Sequence, residues 1–313
     1  MNMNGNVSHK PSVSVVMPVL NAENYIAESI KSILDQTFSD FEFIIIDDGS
    51  SDNSWRIIKE YSKKDKRIIL LRNSTNLRIC ETLNRGLKLA KGKYIARMDA
   101  DDWCYPDRLE KQYKFMEGHP EVIICGGAME VCDSQMQTLG VRNYNLTDEN
   151  IRKYIFWYSP FCHASTIYQT KLAKIVQYNK HLYDSEDYDF YFRMGEYGKF
   201  ANLSDIVYRM RVNINGVSLL RSRRQERIVL YIRLKAIFEY GYRMQRFDKL
   251  YLFLQLMSYF LVPAPIKFFI YNLARNRWRK DLNKSAVNIL PQIPFWGPIS
   301  YFKAFVFNRM KKK

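Results

Sequence analysis

Along the first hundred residues, unbroken apolar runs alternate with segments whose apolar residues return every three or four positions. SVSVVMPVL (12–20) is a β-branched run bounded by Pro18 and Asn21, and it predicts a buried strand. ENYIAESIKSILDQT (23–37) sets Ile26, Ile30, Ile33 and Leu34 at helical spacing. A second strand is predicted over FEFIIIDDGS (41–50), and a helix opened by Ser51 or Asp52 over 51–65. A third strand follows over RIILLRN (67–73), then a helix over 79–92 closed by Gly92, then a fourth strand over KYIARMDADD (93–102). This alternation predicts an α/β fold, with a mostly parallel sheet and helices on both faces. Two of the strands end in acidic residues, at 47–48 and 99–102. Ligands of open α/β sheets bind at the carboxyl ends of strands.

The pattern then loosens. A helix capped by Asp107 is predicted over 107–117, a strand over 122–133 and another over 161–170. Residues 184–198 begin acidic and turn amphipathic, and 200–218 complete what reads as a mixed-sheet extension. From 221 a basic helix carries an apolar stripe. LYLFLQLMSYFLV (250–262) is strongly apolar but only 13 residues long, and Pro263 and Pro265 interrupt it. A spanning helix needs about 20 apolar residues, so this basic-flanked stretch is expected to lie in a membrane interface.

Charge sharpens that division. Of 48 Lys+Arg and 32 Asp+Glu, residues 219–313 hold 20 and 4, so the whole excess of +16 lies in the last third. A neutral globular part followed by a basic appendage is expected to meet something anionic. Leu and Phe runs do not bind phosphate, so the expected partner is an anionic membrane surface and not nucleic acid. The polar start of the chain shows no secretory signal. Five cysteines in or near apolar runs, without zinc spacing, predict buried free thiols in a reducing compartment. No GxGxxG follows the first strand, which disfavours a dinucleotide enzyme.

The candidate chemistry is acidic. ARMDADDWCYPDR (96–108) crowds Asp99, Asp101 and Asp102 beside an apolar segment. Such carboxylates repel each other, and either a solvated, helix-capping turn or a hard cation, Mn²⁺ or Mg²⁺, answers that repulsion. Asp47 and Asp48 suit a base or ribose contact, or a helix-entry cap. His163 lies among apolar residues and reads as core or as functional. Trp103 and Trp157 could stack on a sugar or fill the core.

Taken together, these pieces carry a resemblance. The Pro18–Asn21 entry, Gln36-Thr37, DDGSSD (47–52), DADD (99–102), PDR (106–108) and Glu186-Asp187 occur in an order and spacing that strongly resemble the nucleotide-sugar-dependent glycosyltransferases of family 2, over roughly residues 11–218. The resemblance implies a GT-A catalytic domain over 11–218, a Rossmann-like nucleotide half fused to a mixed-sheet acceptor half; charge and apolar content make 219–313 a basic, amphipathic helical extension expected to associate with a membrane. It implies inverting, metal-dependent transfer of a sugar from a nucleotide-sugar, most often a UDP-sugar, to a glycan or lipid-linked acceptor. The setting implied is bacterial surface polysaccharide synthesis, at the cytoplasmic face of the cell membrane. By position, Pro18, Val19, Asn21 and Glu23 would line the nucleotide pocket and Asp48 would meet the base. Asp99 would lie near the ribose or sugar, Asp101 would hold Mn²⁺ or Mg²⁺, and Asp187 would be the general base. Glu186, His163 and Trp103 would face the acceptor. Two departures stand out: Arg78, where relatives usually have Gly, and Arg211, where many have His. Arg78 would reach the donor pocket or point to solvent, and Arg211 would touch the diphosphate. The alternative is an inactive or nucleotidyltransferase-like protein that binds nucleotide-sugars. The intact acidic residues and the absence of a basic Gly-rich loop in PVLNAENY argue against it.

Overall fold

The computed structural model describes residues 10–211 and 222–261. Strands β1 (Val13–Val19), β2 (Phe41–Asp47), β3 (Ile68–Arg72) and β4 (Tyr94–Arg97) are parallel and run in the order 3-2-1-4. Helices α1 (Ile26–Leu34), α2 (Ser54–Lys64) and α3 (Arg78–Leu89) connect them. The period-2 alternation of side chains divides these strands between two cores. Val13, Val15, Met17, Phe43 and Ile45 pack with Ile26, Ile30 and Ile33 of α1. Val16, Ile44 and Ile46 pack with Leu83 and Leu87 of α3 on the other face. Both faces of β1 and β2 are therefore dry, which is why their sequences read as continuous apolar runs.

Two boundaries differ from the sequence expectation. The third helix ends at Leu89, not at Gly92. Gly92 instead lets the chain pass β1, where an added Cβ would come within 2.6 Å of the Ser14 amide. Asp107 stands at the start of α4 (Arg108–Gly118) without capping it, and pairs with Lys111 at 2.9 Å.

Beyond β4 come β5 (Trp103–Cys104), β6 (Val122–Cys132), β7 (Thr138–Arg142), β8 (Ile167–Gln169) and β9 (Lys199–Arg211). With them the sheet grows to the order β3-β2-β1-β4-β8-β6-β9-β5, with β7 on β6. β8 is antiparallel to β4 and β6, β9 runs parallel to β6, and β5 pairs antiparallel with β9. The strand expected over 161–170 is divided into a single 3₁₀ turn, His163–Ser165, and β8. Helices α5 (Asp148–Tyr154), α6 (Thr170–Val176) and α7 (Glu186–Met194) complete this half. All five cysteines are buried and free.

On the far side of the compositional break, α8 (Ser222–Phe238) packs on α7. Its Ile232 and Ala236 join the core that holds Tyr188 and Phe192. α9 (Arg246–Leu261) is seated by Trp157: the indole stacks on Tyr251 at 4.5 Å, and its Nε1 donates to Asp248 at 2.6 Å. Trp157 is thus an anchor for a helix, not a free sugar platform. No helix among the described residues is long and apolar enough to cross a membrane. Pro263, Pro265 and the rest of the basic segment lie outside the described residues.

Candidate active site

β4 ends at Arg97, and the chain turns through three aspartates before β5. One carboxylate oxygen from each of Asp99, Asp101 and Asp102 lies within 4.8 Å of the others. Asp102 is buried and committed: Tyr208 Oη donates to Oδ2 at 2.9 Å and the Arg211 amide to Oδ1 at 2.7 Å, both from β9. Burial, then the charges of Asp101 and Asp99, push its carboxyl well above the ordinary range. Asp101 is pushed up to about 6, by burial first and by Asp99 second. Asp99 forms an ion pair with Arg97. An all-oxygen set under mutual repulsion suits a hard divalent cation. Asp102 already spends its oxygens on β9, so Asp101 and Asp99 are the residues that fit one.

Arg97 has no counterpart in the sequence expectations. It is buried, Asp99 outweighs burial in holding its charge on, and its Nε finds no acceptor among the described residues. Its carbonyl accepts from Arg108 at 2.7 Å, so the PDR motif braces the end of β4. The positive charge of Arg97 acts on Asp101 on one side and on Glu186, Asp187 and His163 on the other. The available signal was a charged residue closing a strand that is otherwise apolar.

The donor-side residues gather at the ends of β1 and β2. Asp48 Oδ1 accepts from the Leu77 amide at 2.8 Å and from Asn73 Nδ2 at 2.6 Å, which ties the strand end to the entry of α3. Asn21, at φ +50°, accepts from the Ser51 amide at 2.9 Å, and Glu23 accepts from the Asn53 amide at 2.9 Å. These two residues knit the loop after Pro18 and Val19 onto the turn before α2. Asp52 bridges the same two loops, accepting from the Glu23 amide at 3.0 Å and the Ser54 amide at 2.9 Å. Arg78 has φ +70°, the left-handed region where glycine is at ease. Its guanidinium lies 4.3 Å from the Tyr183 ring, and Arg224 of α8 lies 4.4 Å from the same ring.

Glu186 and Asp187 occupy the first turn of α7. Burial, and then Asp187, push Glu186 up to about 7. Burial also raises Asp187, while the Tyr188 amide and Arg97 restrain it. Asp189, the third acidic residue, is structural and pairs with Arg193 at 2.7 Å. His163 Nε2 meets Tyr178 Oη at 2.8 Å, and burial keeps the imidazole neutral. Trp103 lies on β5, edge-on to Tyr105 at 5.2 Å and 5.6 Å from the Arg209 guanidinium. Arg211 pairs with Glu28 of α1 at 2.6 Å, donates to the Ser134 carbonyl at 3.0 Å and rests on Tyr25 at 4.2 Å. Its charge still reaches Asp101 and lowers that carboxyl. A cavity of about 470 Å³ between α4, α5 and β9 contains none of these residues.

Residues 14–181 match glycosyl transferase family 2. A glycosyltransferase of Methanocaldococcus jannaschii, uncharacterised in function, is 37% identical over 224 residues, 69% of this chain and 76% of that protein. Among solved structures, TarS of S. aureus in complex with UDP-GlcNAc is similar with a TM-score of 0.60 at 23% identity, covering 74% of this chain and 68% of that one. The mannosyltransferase PcManGT of Pyrobaculum calidifontis, in complex with GDP-Man and Mn²⁺, gives a TM-score of 0.60 at 14% identity, covering 96% of this chain and 81% of that one. Those two likenesses concern the fold, and the fold is GT-A. With the family match spanning more than half of its length, the chain belongs to glycosyl transferase family 2.

Proposed function

We propose that the chain moves a sugar from a UDP-sugar to a hydroxyl of a glycan or lipid-linked acceptor, with inversion, in the assembly of bacterial surface polysaccharide. We place it peripherally on the inner face of the cell membrane. One observation carries the enzymatic part: the acidic turn after β4 brings three carboxylates within 4.8 Å of one another, and a second acidic pair, Glu186 and Asp187, opens α7. Those groups have different tasks. Asp101, with Asp99, would hold Mn²⁺ or Mg²⁺, and the bound cation supplies neutralisation of the charge developing on the leaving diphosphate. Asp102 keeps the turn in place through Tyr208 and the Arg211 amide. Asp48 offers its carboxylate to the base beside Leu77, and Pro18, Val19, Asn21 and Glu23 shape the wall of that pocket. Arg211 would exchange its Glu28 pairing for the diphosphate, and Arg78 would leave the Tyr183 ring to reach the donor.

Asp187 would take the proton of the attacking hydroxyl. A carboxylate raised by burial is a stronger base, and Arg97 keeps it ionised enough to act. A base facing the sugar opposite the leaving group gives one displacement and hence inversion. Glu186 and neutral His163 would orient the acceptor, with Trp103 further along the same side. That TarS was solved with UDP-GlcNAc, and PcManGT with GDP-Man and Mn²⁺, supports a nucleotide-sugar donor and a divalent cation.

The test is a panel of nucleotide-sugars with Mn²⁺, read by melting temperature and by donor hydrolysis. A UDP-sugar is expected to raise the melting temperature only when the cation is present. Asp101→Asn should lose that shift. Asp187→Asn should keep it while turnover falls by about 10²–10⁴. No shift with any nucleotide-sugar would overturn the reading.

A further inference from the structure

The last described helix is built inside out. Its acidic residue, Asp248, is only 4% exposed and is held by the Trp157 indole, while Phe247 beside it is 73% exposed. Gln255 also turns inward, onto Arg233 of α8. Outward point Leu250, Phe253, Leu254 and Met257, which continue the Phe247 stripe at helical spacing. On α8 the exposed positions 224, 227, 231, 234 and 238 form a second stripe, Arg224 and Arg227 followed by Tyr231, Leu234 and Phe238. Of the fifteen large apolar side chains exposed among the described residues, nine lie on these two helices. A helix that buries an aspartate and a glutamine while a row of large apolar residues points outward has a covered outer face, and contiguous patches of this kind mark interaction sites.

Charge selects the occupant. Arg246 and Lys249 are exposed beside Phe247 and Leu250. Residues 262–313 carry 11 Lys+Arg and 1 Asp+Glu, and a second copy carries a net +16, so either would bring like charge onto a basic face. An acidic polymer would meet the charges but leave Phe and Leu in water. An anionic bilayer satisfies both demands, acyl chains for the apolar stripe and headgroups for the flanking Lys and Arg. We infer that the outward face of α8 and α9 is a docking surface for an anionic lipid bilayer, with Phe247, Leu250, Phe253 and Leu254 entering the acyl boundary. This rests on the membrane placement proposed above and assigns it to specific residues. The surface leads to the reaction centre. Arg224, at the start of α8, pairs with Asp184 at 3.1 Å, two residues before Glu186. A lipid-borne acceptor hydroxyl would therefore be delivered at the α7 carboxylates without leaving the membrane plane.

The experiment is co-flotation of the full chain with phosphatidylcholine vesicles, with and without phosphatidylglycerol, beside the paired variant Phe247→Asp/Phe253→Asp. Both residues are exposed, so the variant should melt as the parent does. Expected is binding that depends on phosphatidylglycerol, weakens in high salt and falls about tenfold or more in the variant. Equal flotation of variant and parent would overturn the assignment, as would equal binding to both vesicle types. A change from dimer to monomer in the variant, read by sedimentation, would give the face to a second copy instead. The nucleotide-sugar shift, measured on the same preparations, separates the two claims. A shift without flotation removes the docking surface alone. Flotation lost in the variant, with no shift for any donor, keeps the surface and removes the enzymatic reading.

Discussion

Arg97 is the residue whose removal should be felt furthest. A guanidinium enclosed in a protein interior is costly unless its charge is answered, and here Asp99 pairs with it directly. Its charge also reaches the α7 carboxylates, where it favours the ionised form. The sign of a substitution follows. Without the positive charge, Glu186 and Asp187 hold their protons to higher pH, and a base that must be ionised is lost on the acid side. Arg97→Gln should move the acidic limb of the kcat/KM profile to higher pH and lower turnover near pH 6 by about tenfold or more. Arg97→Lys should return the limb to its place. A limb that stays put in the Gln variant would reduce Arg97 to a packing role.

At the scale of elements, the entry of α3 stores strain. Arg78 at φ +70° costs about 1–2 kcal/mol relative to glycine. A stacked, partly exposed guanidinium returns about 0.5–1 kcal/mol. Arg78→Gly should therefore melt at the same temperature or a few degrees higher, yet bind donor more weakly if the side chain serves the nucleotide. Arg78→Val, β-branched in the left-handed region, should melt lower than either. Equal donor affinity in the Gly variant would detach Arg78 from the site.

The same element scale shows what the sequence could disclose. β1 to β4 and α1 to α3 were legible because strands buried on both faces must be apolar throughout, and their connecting helices must be amphipathic. β5 was not legible, since its two residues, Trp103 and Cys104, are a strand only because Arg209 and Tyr208 lie opposite them. Asp48, Asp101 and Asp187 stand out in the sequence because the order and spacing of the motifs single them out. Arg97 carries no motif, and its importance depends on groups drawn from α7 and the His163 turn. The substitution at Arg78 was visible, but the backbone angle that makes it matter was not. The apolar run in α9 was plain, whereas the inward direction of Asp248 depends on where Trp157 stands.

For the whole molecule, the acidic groups at the centre make stability a function of pH and cation together. Asp101 and Glu186 are raised to about 6 and about 7, and Asp102 is raised as well, all by burial first. The folded chain thus binds these protons more tightly than the unfolded chain does. Their stabilisation is complete below the ordinary carboxyl range, about pH 4, and is lost as pH rises through 6 and 7. A divalent cation can replace the protons only where the carboxyls are ionised. Mn²⁺ should therefore raise the melting temperature clearly at pH 7.5 and hardly at pH 5. Equal increments at both pH values, read by differential scanning fluorimetry, would separate the cation from the acidic turn.

The clamp on Asp102 also sets an order of manufacture. Its two hydrogen bonds come from Tyr208 and the Arg211 amide, 106 and 109 residues later in the chain. At about 5–20 residues per second, a ribosome takes roughly 5–20 s to supply them after Asp102 has been made. In that interval β1 to β4 and α1 to α3 have been made, while the acidic turn has none of its β9 supports. The acidic turn of the nascent chain can therefore be clamped only after β9 has been made.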